Sequence, residues 1–343
     1  MLEIDGSYLE GGGQILRTAV SLSSILKIPC RVFNIRKNRE NPGLANQHLL
    51  LIRALSDLTG SKLEGDYLGS QEIKFFPGNN YKNSLDLKID TAASITLILQ
   101  TLILPILFSQ NTVEIKIQGG ATDTFFSPSF DYFNFVFLKF LKKLFLKPVD
   151  NIKINLKKRG YFPEGGAEVE LLISPTKLHQ IKAIDSGKLK KIFIFSGASI
   201  NLKEKKVAER QVSGVKSILS KFNLPIEEKI EYYQTKCPGS NICLVAEFEN
   251  GILGVDNLGK IGKRAEEVGR EAVLNLIEEQ KNNPCIDKHL ADQILPYLAL
   301  VSGESEIKTS QITNHLKTNA WLIEKFTNRK ITIDEKNNLI TIK

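Results

Sequence analysis

Four stretches of the chain carry side chains whose types and spacing suit chemistry. In Glu10-Gly11-Gly12-Gly13-Gln14-Ile15-Leu16-Arg17, three glycines join a strand-like segment to a helical one. Glycine lets the backbone approach an anion closely, and the free N–H groups of a helix start point at it. The spacing is neither G-x-G-x-x-G nor a Walker loop, so neither a dinucleotide fold nor a P-loop ATPase is indicated. A permissive turn without a ligand is the competing reading of the glycines alone. Arg17, one helical turn in, and Glu10 favour function, because a carboxylate beside a phosphate makes sense chiefly as a metal ligand.

The second stretch is marked by arginine. The chain has 10 arginines against 36 lysines, and Arg17, Arg31, Arg36, Arg39 and Arg53 all fall in its first 53 residues. Arginine grips phosphate bidentately where lysine acts as a point charge. Arg36-Lys37-Asn38-Arg39 ends a strand-like run, and Asn41-Pro42-Gly43 leads into a helix carrying Gln47 and His48, with His48 read as support for the arginine loop. In the third stretch, His289, Asp292 and Gln293 share a helix face at i, i+3, i+4, which suits holding a base or sugar or forming an exposed polar patch. The fourth is Thr313-Asn314-His315. With Asn314 as N-cap, His315 opens a helix, where the positive end of the dipole disfavours its protonated form. A neutral imidazole keeps the lone pair a nucleophile needs. His179, in a Pro-Thr-Lys-Leu turn, reads as surface.

The elements that position these residues alternate. Strands are expected at Leu2–Asp5, Cys30–Arg36, 71–76, 85–90, 112–117, 152–157 and 167–173, with helices at Gln14–Lys27, Leu44–Leu58, 92–108 and 129–145. The pattern is α/β, a recurring β-α-β-α-β-β unit with glycine junctions at Gly11–Gly13, Gly119-Gly120 and Gly165-Gly166. Composition shifts near residue 184. The block 184–280 carries fewer large apolar residues, with a basic and then strongly β-branched run over Lys188–Phe195, a charged helix over Lys203–Lys221, strands at Glu228–Thr235 and Asn241–Glu249, and a charged helix at 261–280. It reads as a small α/β domain inserted into a large one formed by 1–183 and 281–343. Beyond it, helices are expected at 287–301 and 315–327 and strands at 330–334 and 338–342.

Composition bounds the class. The 343 residues are 42% hydrophobic and 24% charged, which excludes wholesale disorder. A net charge of +8 favours a polyanionic partner without establishing one. The most apolar run, Ala92 to Phe108, is interrupted by Ser94, Thr96, Gln100, Thr101 and Pro105 and falls short of the ~20 residues of a membrane span. The four cysteines form no C-x-x-C pair, so neither a zinc site nor a redox motif is supported, and no secretion signal opens the chain. The expectation is a soluble, cytoplasmic protein.

Taken together, the motifs resemble those of the RNA 3′-terminal phosphate cyclases along nearly the whole chain. The carriers are Asp5–Arg17, Ile35–Leu44 with Gln47-His48, Leu97–Pro105, Gly119–Asp123, Arg159–Gly166, His289–Gln293 and the His315 segment. The resemblance implies repeated units akin to the enolpyruvyl transferase fold, carrying a small inserted domain. It implies ATP and a divalent cation, magnesium or manganese, and RNA 3′-phosphate ends as partner. A homodimer is carried as an expectation. It also implies attack by His315 Nε2 on the α-phosphorus of ATP, transfer of AMP to the RNA 3′-phosphate, and closure by the 2′-hydroxyl to a 2′,3′-cyclic phosphate. Carried over by position, Glu10 holds the metal, and Gln14, Arg17, Arg36, Arg39 and Gln47 line the phosphate site. Gln100, His289, Leu290, Ala291, Asp292 and Gln293 match nucleotide-binding segments, and Pro128 and Tyr132 match positions packing adenine and ribose. His289 stands where some members place a tyrosine that stacks on adenine, and an imidazole offers a smaller face. Phe125, Phe126, Phe130 and Tyr132 suit either the core or the stacking of an RNA base. Two alternatives are a non-catalytic ribosome-assembly relative, which lacks the histidine, and an enolpyruvyl-type transferase, which rests on fold analogy. The lysines Lys203, Lys205, Lys206, Lys216 and Lys221 of the inserted block either guide RNA or solubilise a helix.

Overall fold

The computed structural model describes residues 1–147 and 150–343. Its chain builds one topology three times. The first unit runs β1 (Leu2–Asp5), α1 (Gly13–Leu26), β2 (Cys30–Phe33), α2 (Asn46–Thr59), β3 (Lys62–Glu64) and β4 (Ile73–Phe76), with strand order β1-β2-β4-β3. The second runs β5 (Ser84–Ser94), α3 (Ile95–Leu107), β6 (Val113–Ala121), a helical rod over 130–143, β7 (Ile152–Lys158) and β8 (Glu168–Ile173), ordered β5-β6-β8-β7. The rod is α-helical at its ends, α4 (Phe130–Tyr132) and α5 (Lys139–Lys143), and π-helical over Phe133–Leu138 between them. In both units the first two strands pair in parallel and the rest antiparallel.

The third unit starts at β9 (Lys182–Ala183) and is interrupted at once. A separate four-stranded sheet follows: β10 (Leu189–Ser199), α6 (Val207–Leu219), β11 (Ile226–Tyr233), β12 (Ser240–Phe248), β13 (Ile252–Leu258) and α7 (Ala265–Glu279), ordered β11-β10-β12-β13. The third unit then resumes with α8 (Lys288–Ala299), β14 (Ser305–Lys308), α9 (Asn314–Phe326), β15 (Ile331–Asp334) and β16 (Leu339–Ile342), where β9 pairs in parallel with β14. The recurrence expected from the sequence is present, but its punctuation differs. A Cβ on Gly119 would sit 1.8 Å from the Ile89 carbonyl oxygen, and one on Gly165 2.3 Å from that of Gly120. Those glycines let backbone lie on backbone inside the second unit, and they do not mark repeat starts. The short strands β3, β9 and β14 escape the periodicity reading, which needs several alternating residues to register, and β13, seven residues long, escapes it because its buried start does not alternate.

Two hydrophobic clusters form. One gathers buried residues from all three units, and the other draws only on residues between Ile192 and Leu276. Helix α3 is nearly all apolar, and every residue but Gln100 is buried. A helix of that kind is held from all sides. It packs on α1 and α2, and α9 packs on α1 and α8, so five helices from three units meet where the site lies. Among the described residues no helix is long and apolar enough to cross a membrane.

Candidate active site

Helix α9 brings His315 to the tri-glycine turn. Its N-cap is Thr313, not Asn314: Thr313 is extended (φ −96°, ψ 162°), and its hydroxyl accepts the Leu316 N–H at 3.1 Å. A threonine hydroxyl in that conformation reaches the third N–H of the helix, so the start moves one residue back. His315 is then the second helical residue, still within the first turn where the dipole acts. Its Nδ1 is hydrogen-bonded to Gln14 Oε1, and its Nε2 lies 2.8 Å from Glu10 Oε2. With the Nδ1 proton given to Gln14, Nε2 keeps its lone pair. Burial holds the ring below the ordinary histidine pKa; Glu10 pulls it upward, and Arg17, His289 and Arg39 push it down.

A cleft of about 430 Å3 opens at this ring. Of the residues expected from the sequence, Gln14, Arg17, Gln100, Pro128, Tyr132, His289, Asp292, Gln293 and His315 line it. A smaller recess of about 60 Å3 shares Gln14, Arg17, Gln100, Asp292 and Gln293 and adds Tyr297 and Asn319. Unsatisfied polar atoms concentrate here: among the described residues Gln100 Nε2, Gln293 Oε1 and the Tyr297 hydroxyl are buried without a hydrogen-bond partner, and buried Glu10 Oε2 meets only His315 Nε2. Most buried polar groups find partners within the protein, so a cluster of orphans marks a place arranged for something else. Burial pushes the Asp292 carboxyl up to about 8 against the pull of Arg17 and lowers Arg17 to about 10, leaving Arg17 charged near neutrality.

The remaining expected residues are placed differently. Arg39 flanks the turn: a Cβ on Gly12 would lie 3.4 Å from its Nη2 and 4.0 Å from His315 Cε1. Arg36, in a left-handed backbone conformation (φ 53°), donates from Nη1 to the Gly43 carbonyl oxygen at 2.9 Å and is not in the cleft wall. Gln47 stays in the first turn of α2, outside the cleft wall. Leu290 and Ala291 are fully buried in the core because they occupy the apolar face of α8, opposite His289.

Three residues matter that the sequence reading passed over or cast differently. His48 packs against the glycine turn, since a Cβ on Gly13 would fall 2.0 Å from its Nε2; burial, then Arg17 and Arg36, take its pKa down to about 3. It is a neutral ring pressed on the helix start, and only tertiary contact reveals that. Asp287 accepts the N–H groups of His289 and Leu290, the Tyr132 hydroxyl at 2.6 Å and the Gly254 N–H at 3.0 Å. It ties α8, the cleft wall and β13 together, and an aspartate ahead of a periodic helix is a readable cap signal. Asp256, from the unforeseen β13, lines the cleft and accepts the Ser129 N–H at 2.5 Å.

Comparison with known proteins places the chain in a family. The family model described as RNA 3′-terminal phosphate cyclase matches residues 8–333. An RNA 3′-terminal phosphate cyclase of Pyrococcus abyssi is 43% identical over 335 residues, 97% of this chain and 95% of its own. One of Saccharolobus solfataricus is 41% identical over 98% of this chain and 97% of its own. The chain belongs to the RNA 3′-terminal phosphate cyclase family. It is accordingly an enzyme. The enolpyruvyl transferase NikO of Streptomyces tendae overlaps 50% of this cyclase-family chain and 33% of its own at 13% identity and TM-score 0.26, a distant partial likeness.

Proposed function

We propose that the protein converts RNA 3′-terminal phosphates to 2′,3′-cyclic phosphodiesters at the expense of ATP, through an adenylate carried on His315. The observation that carries the reading is the His315 ring itself, held below the ordinary histidine pKa, with Nδ1 bonded to Gln14 and Nε2 at the cleft beside Glu10. Nε2 attacks the α-phosphorus, an N–P bond forms, and the bond to the pyrophosphate oxygen breaks. The Nδ1–H stays with Gln14, which steadies the positive charge the ring acquires. An oxygen of the RNA 3′-phosphate then displaces histidine from the adenylate, restoring the neutral ring. The neighbouring 2′-hydroxyl attacks the activated phosphorus, loses its proton and expels AMP. A phosphate monoester has no good leaving group of its own, and the attached AMP supplies one.

Arg17 and Arg39, beside the helix start, suit the triphosphate and the RNA phosphate. Pro128, Tyr132 and His289 suit the nucleoside, with His289 offering a flat face to the base. A divalent cation fits Glu10, whose buried Oε2 is a hard oxygen donor that meets only His315 Nε2; no cluster of three or more acidic, His or Cys residues exists among the described residues, so phosphate oxygens and water would complete the shell. Bound there, magnesium or manganese supplies neutralisation of phosphate charge. Incubation with ATP and a 3′-phosphorylated oligoribonucleotide is expected to give phosphatase-resistant 3′ ends together with AMP and pyrophosphate. Cyclisation without a nucleotide, or with release of ADP, contradicts the reading.

A further inference from the structure

Resting on the reading above, the geometry points to an aromatic platform at the mouth of the cleft that stacks the last bases of single-stranded RNA. Of the four aromatic residues around 125–132, Phe130 and Tyr132 are buried, whereas Phe125 is 39% exposed and Phe126 fully so at 104%. Phe126 lines the cleft that holds His315. It also sits at φ 61°, a left-handed conformation that bulky side chains avoid. Strain of this kind persists where the surroundings impose it, and here it turns a ring into solvent at the rim.

The aromatic surface continues away from the cleft. Phe125 meets Phe162, itself 49% exposed, edge to face at 5.7 Å, and Lys260 of the loop after β13 holds its Nζ 5.5 Å from the Phe125 ring centre. Neither Phe125, Phe162 nor Lys260 belongs to the cleft wall, so this surface extends past the space a mononucleotide fills. Flat exposed rings interleaved with a cation form the surface that binds successive bases and backbone of a single strand, tolerant of sequence because every base has a π-face. A ligand whose phosphate reaches His315 while its chain trails outward passes over these rings. The inserted domain, through Lys260, thereby gains contact with the strand.

The test is direct binding, without ATP, of 3′-phosphorylated oligoribonucleotides that are intact or abasic at the last two nucleotides. Phe126→Ala is expected to weaken the intact strand roughly 5- to 100-fold, the range of a lost base stack, and the abasic strand less than twofold. Phe126→Trp is expected to bind the intact strand within about twofold of the parent, since a larger ring stacks as well. Phe126→Gly, which relieves the backbone, is expected to bind weakly yet melt no lower than the parent. Equal affinity of Phe126→Ala and parent for the intact strand, or the same loss on both strands, overturns the platform. So does a loss confined to ATP affinity, which would assign the ring to adenine. Labelling of the parent protein by ATP, measured on the same preparation, reports on the cyclase mechanism separately: a labelled protein without base dependence sinks the platform alone.

Discussion

The chain holds two clusters in which arginine and carboxylates meet, and they are built on opposite terms. In the first, Arg159 is buried and forks onto Asp131 at 2.8 and 3.0 Å while its Nη1 also reaches Asp123 at 3.1 and 3.2 Å. Asn241 of β12 donates to Asp131 at 2.7 Å, Tyr161 donates to Asn241 at 2.8 Å, and the guanidinium lies 4.7 Å from the Tyr233 ring centre. Only Arg159 Nε is left over. In the second, Arg17, Glu10, Asp292 and His315 surround open space. Among the described residues Arg17 makes no ion pair there, Glu10 Oε2 meets only His315 Nε2, and Asp292 is pushed toward protonation. Both clusters belong to segments that stand out in the sequence. What separates the two is satisfaction: the paired cluster fastens the inserted sheet to the second unit, and the unpaired one is where the proposed function puts phosphate.

If that contrast holds, the largest effect follows from breaking the paired cluster. Arg159→Ala leaves two buried carboxylates without a counter-charge and is expected to cost about 3–5 kcal/mol, read by denaturant unfolding. A loss below about 1 kcal/mol would mean the network is solvated and the contrast false. On the open side, exposed Arg39→Ala is expected to change stability by less than about 0.5 kcal/mol. It should lower the ATP- or RNA-phosphate-dependent rate about 10- to 100-fold, the worth of a hydrogen bond to a charged group. Unfolding in place of slowed turnover would move Arg39 into the structural class. A third effect, set by pH, concerns Asp292. Its folded pKa of about 8 exceeds the unfolded value near 3.9, so the folded state binds more protons between those values and loses stability as pH rises through them. Asp292→Asn is therefore expected to raise Tm relative to the parent at pH 8 and much less at pH 5. Equal shifts at both pH values would show that burial does not set this carboxyl.

Much of this was legible in the residues. Local signals carried much of the unit order: the helices α1, α3, α8 and α9 announce themselves by apolar content and spacing, and seven of the nine expected cleft residues lay in motifs that could be quoted, Pro128 and Tyr132 being placed by resemblance. Three things were missed or misread. The cap at Thr313 differs from Asn314 by a backbone angle, and both residue types cap well. Leu290 and Ala291 share a motif with His289 and Asp292 and were carried into the site with it, although the spacing of Leu290 with Ile294 and Leu298 already marks the apolar stripe that the core takes. Asp256 and Asp287 act across chain distances of 127 and 155 residues, which no local pattern encodes.

The central claim is that one imidazole carries the adenylate. ATP labelled at the α-phosphate, with magnesium or manganese, is expected to leave acid-labile, alkali-stable label on the wild-type protein, mapped by peptide mass spectrometry to His315, and none on a folded His315→Ala variant. Label that persists in that variant, or that never forms on the wild type, contradicts the account.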